Sequence, residues 1–373
     1  MRISHLRQRL RDLGAKPCHE DRLLRGWSQV CSYDRKGSPA ATFFPLALRN
    51  ELPAIETELS GLARLHGEYP ANCHGSHDSS PSPTNEVGRL LVELADGQMM
   101  ESVLLPRDGL CVSTQVGCAV GCVFCMSGRN GLLRQLGSAE IVAQVALARK
   151  RRAVSKVVFM GMGEPAHNLD NVLEAIQLLG TQGNIGHKSL VLSTVGDLRV
   201  FEKLMEGYPS RQPSPQPSPA CGRGSNGEGQ SSTPAVKPAL ALSLHTTDAA
   251  LRARLLPHAP QIAIEELVER AEVYARATGY PVQYQWTLID GVNDSDAELA
   301  RIVQLLSGKY AIMNFIPFNE VDGLAYRRPS AERIAAMAQT LNRQRVYSRV
   351  RDSVGQEVEG ACGQLRARAV KAG

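Results

Sequence analysis

Cys118, Cys122 and Cys125, spaced C-x3-C-x2-C within the stretch Cys111-Val-Ser-Thr-Gln-Val-Gly-Cys118-Ala-Val-Gly-Cys122-Val-Phe-Cys125-Met-Ser-Gly, constrain this chain more than any other feature. They lie on a glycine-bearing loop after an apolar strand pattern and before a helical one. Each thiolate can reach one iron of a [4Fe-4S] cube, which leaves the fourth iron without a protein ligand. Electron-carrying clusters use four cysteines, so a loop offering three reads as keeping one iron for another ligand. In radical chemistry that ligand is the amino and carboxylate end of S-adenosylmethionine, and an electron from the cluster splits it to a 5′-deoxyadenosyl radical. Phe124 directly before the third cysteine, and Gly161-Met-Gly-Glu-Pro165 after the next strand, strengthen the reading.

Two plainer readings compete. Zinc would want a fourth Cys or His nearby to close a tetrahedral site. A disulfide is disfavoured because no apolar segment behind a basic start marks the chain for export, and disulfides do not persist in a reducing cytosol. A cytoplasmic protein is therefore expected. No apolar run approaches the roughly 18 to 20 residues that span a bilayer, so no membrane partner is expected either. The formal net charge of +5 permits a nucleic-acid partner without requiring one. Cys18, Cys31, Cys73 and Cys221 carry no motif.

Residues 1–80 read as an accessory unit. Between Met1 and Lys36 nine Lys or Arg stand against four acids, and Leu6, Leu10 and Leu13 recur at helical spacing, predicting a short helix with a basic outer face that could be solvated or could contact RNA. Trp27 and Phe43-Phe44 are candidates for its core. Gly75–Asn85 is rich in Ser and Pro, and residues 81–88 form the linker. From Arg89 the pattern alternates. Strands are expected at Leu90–Leu94, Met99–Leu104, Leu110–Val116, Lys156–Met160, Ser189–Ser193, Leu240–Leu244, Val282–Leu288 and Ala311–Phe318. Helices are expected at Ser138–Arg151, Leu169–Leu179, Ile264–Ala277, Asp296–Leu306 and Ser330–Asn342. This alternation predicts an α/β fold with a parallel sheet, curved into a partly closed barrel with its active site at the carboxyl ends of the strands. The Pro/Ser/Gly-rich stretch 208–237 cannot bury enough apolar surface to order itself and reads as a disordered surface insertion.

Taken together, Cys111 to Cys125, Gly161-Met-Gly-Glu-Pro165, Leu192-Ser-Thr, Ser243-Leu-His245, Ile316-Pro-Phe-Asn319 and Ala361-Cys362-Gly-Gln-Leu365 resemble the RlmN/Cfr family of radical-SAM RNA methyltransferases over residues 89–365. Residues 366–373 would be a tail. The resemblance implies a partial (β/α)6 radical-SAM barrel beside a small, mainly helical N-terminal domain. It implies one [4Fe-4S] cluster per chain on Cys118, Cys122 and Cys125. S-adenosylmethionine, two molecules per turnover, would be held by Gly163, Glu164, Ser193, Ser243, Leu244, His245 and Asn319. Cys362 matches the cysteine that becomes S-methylated, Cys111 its partner in a transient disulfide, and Glu101 the proton acceptor, with Glu93 as fallback because Glu101 stands about three residues nearer Cys111 than the family pattern.

The implied reaction is methylation of adenine carbon 2 or carbon 8 in 23S ribosomal RNA, with transfer RNA a further candidate. An electron donor such as flavodoxin or ferredoxin is implied, and the chain is expected to act as a monomer. Such a ring carbon is too weakly nucleophilic to attack a methyl sulfonium, which is why the route is radical. The family mechanism first methylates Cys362, then abstracts hydrogen from its S-methyl group, adds the resulting radical to the ring, removes the ring proton with Glu101 and releases the base when Cys111 attacks the Cys362 sulfur. That last step needs accessible thiolates. Met126-Ser-Gly-Arg129 and the 208–237 insertion depart from the family pattern. A radical-SAM enzyme with another substrate and a non-enzymatic Fe-S RNA-binding protein are the alternatives.

Overall fold

A computed structural model describes residues 1–70, 87–206, 235–319 and 324–351. In chain order the helices are α1 (Ile3–Asp12), α2 (Pro17–Gln29), α3 (Ala40–Phe43), α4 (Leu46–Gly61), α5 (Ser138–Arg149), α6 (Leu169–Gly180), α7 (Leu198–Met205), α8 (Ala249–Leu255), α9 (Ile264–Thr278), α10 (Asp296–Leu306) and α11 (Ala331–Arg343). The strands are β1 (Ala63–Pro70), β2 (Gly88–Leu94), β3 (Met99–Leu105), β4 (Gly109–Cys111), β5 (Gln115–Gly117), β6 (Leu132–Gln135), β7 (Lys156–Phe159), β8 (Leu190–Thr194), β9 (Ala239–Ser243), β10 (Val282–Leu288), β11 (Ala311–Pro317) and β12 (Ser348–Val350).

Ten strands form one sheet in the order β1-β2-β3-β4-β7-β8-β9-β10-β11-β12. From β4 to β12 every pairing is parallel, whereas β1 to β4 pair antiparallel. This mostly parallel α/β sheet with helices at the N-terminus is the partial barrel that the alternation predicts. Local chemistry sets the helix ends. Ser295 and Ser330 Oγ accept the Glu298 and Arg333 amides at 3.2 and 3.1 Å, and Asp248 Oδ1 accepts the Leu251 amide at 2.7 Å, each satisfying a donor that the first turn leaves orphaned. Helix α9 stops at Gly279, which takes φ +73°.

The two faces of the sheet differ. Leu90, Val92 and Leu94 of β2, with Met100 and Leu104 of β3, enter the large core under the helices. Alternation then puts Arg89, Leu91, Glu101 and Val103 on the opposite, inner face. There a smaller apolar cluster joins Cys111, Val158, Val191, Ala239 and Ala241.

The expected strand Leu110–Val116 is corrected. It breaks after Cys111, and Gln115–Gly117 pairs instead with β6 in a separate two-stranded sheet. Polar partners hold the break. Gln144 of α5 binds the Ser113 amide and carbonyl, both at 2.8 Å, and the Thr114 amide donates to Met162 O at 2.9 Å. An unbroken ladder would compete for those groups. Beyond the expected elements, Ala63–Pro70 forms a strand on β2, from Ala63↔Leu94 to Pro70↔Gly88, with a one-residue register shift between Leu65 and Gly67. Ile3, Leu6 and Leu10 share one core with the barrel, and the Ile3 amide donates to Ser138 Oγ at 2.8 Å. On α1 the basic face is engaged within the chain, because Arg7 and Arg11 close on the buried Glu20 carboxylate at 3.0 and 2.7 Å. Phe44 is buried, while Trp27 and Phe43 pack partly buried against the same core. Among the described residues no helix is long and apolar enough to cross a membrane.

Candidate active site at the strand carboxyl ends

The three cysteines lie between β5 and the 3-10 turn Met126–Gly128. Gly117 (φ +84°) and Gly121 (φ +66°) bend the loop in left-handed conformations. At Gly117 a Cβ would fall 2.1 Å from Gly131 O, so the hairpin closes only on glycine. Cys118 is buried, Cys122 and Cys125 are half-buried, and the Cys125 amide donates to Cys122 O at 3.0 Å. Burial, reinforced by the other cysteines and Glu164, pushes the Cys118 thiol up to about 11 and the Cys122 thiol well above its ordinary value. Both stay protonated until a metal displaces the proton. Among the described residues no three His, Cys, Asp or Glu side chains converge closely enough for a single ion. A cubane takes its thiolates on separate corners, and this soft, all-sulfur donor set on one flexible loop fits it.

Glu164 opens a 3-10 turn beyond β7. Its buried carboxylate accepts Thr194 Oγ1 at 2.6 Å, the Val195 amide at 3.0 Å and the Ala166 amide at 3.1 Å. Burial raises its pKa against the pull of those donors. Two carboxylate oxygens offer about four acceptor sites, so room remains for an ammonium group. Gly163 takes φ +104°, and a Cβ there would press 2.6 Å against Gln115. Gln115 is buried between the two motifs. Its Oε1 accepts the Glu164 amide at 2.8 Å and its Nε2 donates to Gln135 Oε1 at 2.8 Å, tying the cysteine hairpin to the glycine loop.

Ser193, the penultimate residue of β8, lies on the face of its register partner Ala241, and Ser243 ends β9. The Leu244 side chain points away into the large core, so only its backbone faces the strand ends, where its amide donates to Gln285 O at 3.0 Å. His245 is buried at φ +63°, a conformation unusual for a side chain. Its Nδ1 accepts the Thr287 amide at 3.0 Å, its carbonyl accepts Asn293 Nδ2 at 2.6 Å, and its ring lies 4.8 Å from Phe124 of the cysteine loop. Burial, with Arg252 adding to it, lowers its pKa to about 3, so the ring is neutral with its proton on Nε2. Asn319 follows β11, half-buried at the same end of the sheet.

Cys111 ends β4 opposite Val103 of β3, two residues from Glu101, so the Cys111 and Glu101 side chains occupy one face. Both are buried. Glu101 O accepts Ser113 Oγ at 2.6 Å. Glu93 lies further along that face and ends 3.7 Å from Arg64. Cys362, with the segments 352–373 and 207–234, lies outside the described residues.

The sequence pattern of the Radical SAM superfamily matches residues 112–211. A probable RNA methyltransferase of Methylibium petroleiphilum is 63% identical over 370 residues, covering 99% of this chain and 94% of that protein. One from Aromatoleum aromaticum is 60% identical, covering 100% and 94%. A crystal structure of a radical SAM methyltransferase from Sphaerobacter thermophilus is 30% identical, covers 98% of this chain and 97% of that one, and superposes with a TM-score of 0.74. The chain belongs to the radical SAM superfamily. That membership implies an iron-sulfur cluster and S-adenosylmethionine for this radical SAM protein.

Three residues of the site escape sequence reading. Gln115 stands inside the quoted motif but its role depends on a partner 49 positions away. Asn293 joins His245, Thr287 and Ile289 through one amide side chain. Arg252, on the short helix α8, reaches back to β8 and β9. No local periodicity marks such contacts.

Proposed function

We propose that this radical SAM protein is an RNA methyltransferase that adds one methyl group to an adenine ring carbon, C2 or C8, of 23S ribosomal RNA, with transfer RNA a second substrate. The observation that carries the reading is the shared inner face of Glu101 on β3 and Cys111 on β4, one buried carboxylate and one buried thiol beside parallel strands whose carboxyl ends present Glu164, Ser193 and Ser243. Relatives named probable RNA methyltransferases over nearly the whole chain support the substrate class.

In this reading Cys118, Cys122 and Cys125 hold a [4Fe-4S] cluster, one per chain, which when bound supplies an electron for reductive cleavage of S-adenosylmethionine. The remaining acceptor site on Glu164 takes the ammonium of the methionine end. Neutral His245 donates from Nε2 or packs against the adenosine without adding charge. Ser193, Ser243 and Asn319 supply hydroxyl and amide groups around it, and Leu244 supplies backbone alone. Two molecules of S-adenosylmethionine are used per turnover, the first methylating Cys362. Glu101 accepts the ring proton, and its buried position beside apolar Val103 and Leu91 suits a base kept from bulk water. The Cys111 thiolate then attacks the Cys362 sulfur: the sulfur–carbon bond to the base breaks as the Cys111–Cys362 disulfide forms, the released methylene takes up a proton to become the methyl group, and the odd electron left by the radical addition passes to a one-electron acceptor such as oxidised flavodoxin or ferredoxin. A thiol reductant returns both cysteines.

The test is nucleoside mass spectrometry of RNA incubated anaerobically with reconstituted protein, S-adenosylmethionine and reduced flavodoxin or ferredoxin. Wild type is expected to add one methyl to adenosine and C362A none. Full methylation by C362A would replace the methyl-carrier route by direct chemistry on another pathway. Absence of methylated adenosine with every RNA fraction, despite 5′-deoxyadenosine release, would move the enzyme to a different substrate.

A further inference from the structure

Helix α8 is built against the cysteine loop. The Val123 amide donates to Leu255 O at 3.1 Å, and the His258 amide donates to Val120 O at 3.2 Å. Leu255 and Leu256 share an apolar cluster with Cys118, Val120 and Val195, and Cys122, Val123 and Phe124 pack on it. One turn earlier on the same helix stands Arg252, whose carbonyl accepts the Leu256 amide at 2.8 Å. It is only 4% exposed.

A buried guanidinium needs a reason. Arg252 Nη2 donates to Val195 O and, at 3.4 Å, to Ser243 O, so it clasps the ends of β8 and β9. The Val195 peptide passes the contact on, since its amide donates to Glu164 Oε2 at 3.0 Å. Among the described residues Arg252 forms no salt bridge, and its buried Nε has no hydrogen-bond partner. Two backbone carbonyls do not neutralise a full charge, and an unpaired buried ion is costly. A cluster bound to the loop packed on this helix, and Glu164 behind the Val195 peptide, would bring negative charge to it. Burial lowers the Arg252 pKa, with Cys122 and Glu164 acting against it.

We propose that Arg252 is the charge-compensating positioning residue of the thiolate site, holding the β8 and β9 ends in place while its cation raises the reduction potential of a cluster bound there. Three ionised thiolates and Glu164 surround the site with negative charge, and reduction adds one more. A fixed cation in a water-poor pocket stabilises the reduced form more than the oxidised one. The inference rests on the reading of Cys118, Cys122 and Cys125 as cluster ligands.

An anaerobic redox titration of reconstituted full-length protein, followed by electron paramagnetic resonance without S-adenosylmethionine, decides it. Iron content and circular dichroism are measured on each sample. R252Q, neutral but able to donate to one carbonyl, is expected to have a midpoint potential more negative than wild type at equal iron content. R252K keeps the charge and is expected to stay near wild type. A wild-type potential in R252Q overturns the inference, as does an R252K shift equal to that of R252Q, which would leave only the clasp. Should R252Q not fold, R252K decides alone, because its potential must then match wild type. Wild-type protein that takes up no iron would instead bring down the ligand assignment, and this inference with it.

Discussion

Thr194→Val isolates how Glu164 is held. Thr194 Oγ1 donates to Glu164 Oε1 at 2.6 Å and accepts the Gly196 amide at 3.1 Å. Valine keeps the shape and removes both contacts. A hydrogen bond to a charged group contributes about 1.5 to 3 kcal/mol and a neutral one about 1 kcal/mol, so the variant should lose about 2.5 to 4 kcal/mol. Thr194→Ser, which keeps the hydroxyl, should recover most of it. The loss also has a pH signature. Burial already sets the folded pKa of Glu164 above its unfolded value, so only between the two does the folded chain hold a proton that the unfolded chain has released, and above both the carboxylate is ionised in each. Removing a donor to the ionised form raises the folded pKa further. The gap between variant and wild type must therefore widen as pH rises through that range and narrow as pH falls towards 4.5. Urea unfolding of the metal-free chain at several pH values, followed by circular dichroism and tryptophan fluorescence, measures it. A T194V stability within about 0.5 kcal/mol of wild type at pH 7, the usual range for an inconsequential surface change, would refute the reasoning. A T194S loss as large as that of T194V would do the same.

Three further outcomes follow from the site. Gly163→Ala forces a Cβ against Gln115 at a positive φ that costs about 1 to 2 kcal/mol before any clash, so its urea midpoint should fall and S-adenosylmethionine binding by calorimetry should weaken. Serine at Cys118, Cys122 or Cys125 should each lower iron per chain and visible absorbance after anaerobic reconstitution; undiminished iron in all three would contradict the ligand assignment. His245 takes up no proton in the folded chain until pH is near 3, whereas the unfolded chain takes one near pH 6.5. Stability should therefore drop as pH falls below 6.5, by about 1.4 kcal/mol per pH unit and about 2 kcal/mol by pH 5. His245→Asn should flatten that slope in the metal-free chain, and an unchanged slope would show that another group titrates.

Much of the barrel is legible because its signals are local. The β10 and α10 boundaries follow from alternation and helical spacing together with flanking turn chemistry, and the Ser295 cap lies directly before the helix that it starts. The cysteine spacing and Gly161-Met-Gly-Glu-Pro165 suggest cluster and cofactor chemistry without any fold, because ligand number and spacing are properties of a few neighbouring residues.

Other features depend on partners far along the chain. The stretch Leu110–Val116 reads as one strand, and only Gln144, more than thirty residues later, breaks it into two sheets. Leu244 sits in a site motif, yet strand alternation and the large core decide that its side chain faces away. Residues 63–70 become a strand because β2 offers an edge, and Arg252 gains its meaning from two carbonyls at the ends of other elements. By itself the sequence determined which short segments are helix, strand or thiol loop, since sterics and periodicity act between neighbours. Tertiary structure alone decided which faces meet, putting Glu101 on the face of Cys111 and a buried cation on the helix that packs against the thiol loop, because register and long-range hydrogen bonds are set by packing the whole core at once.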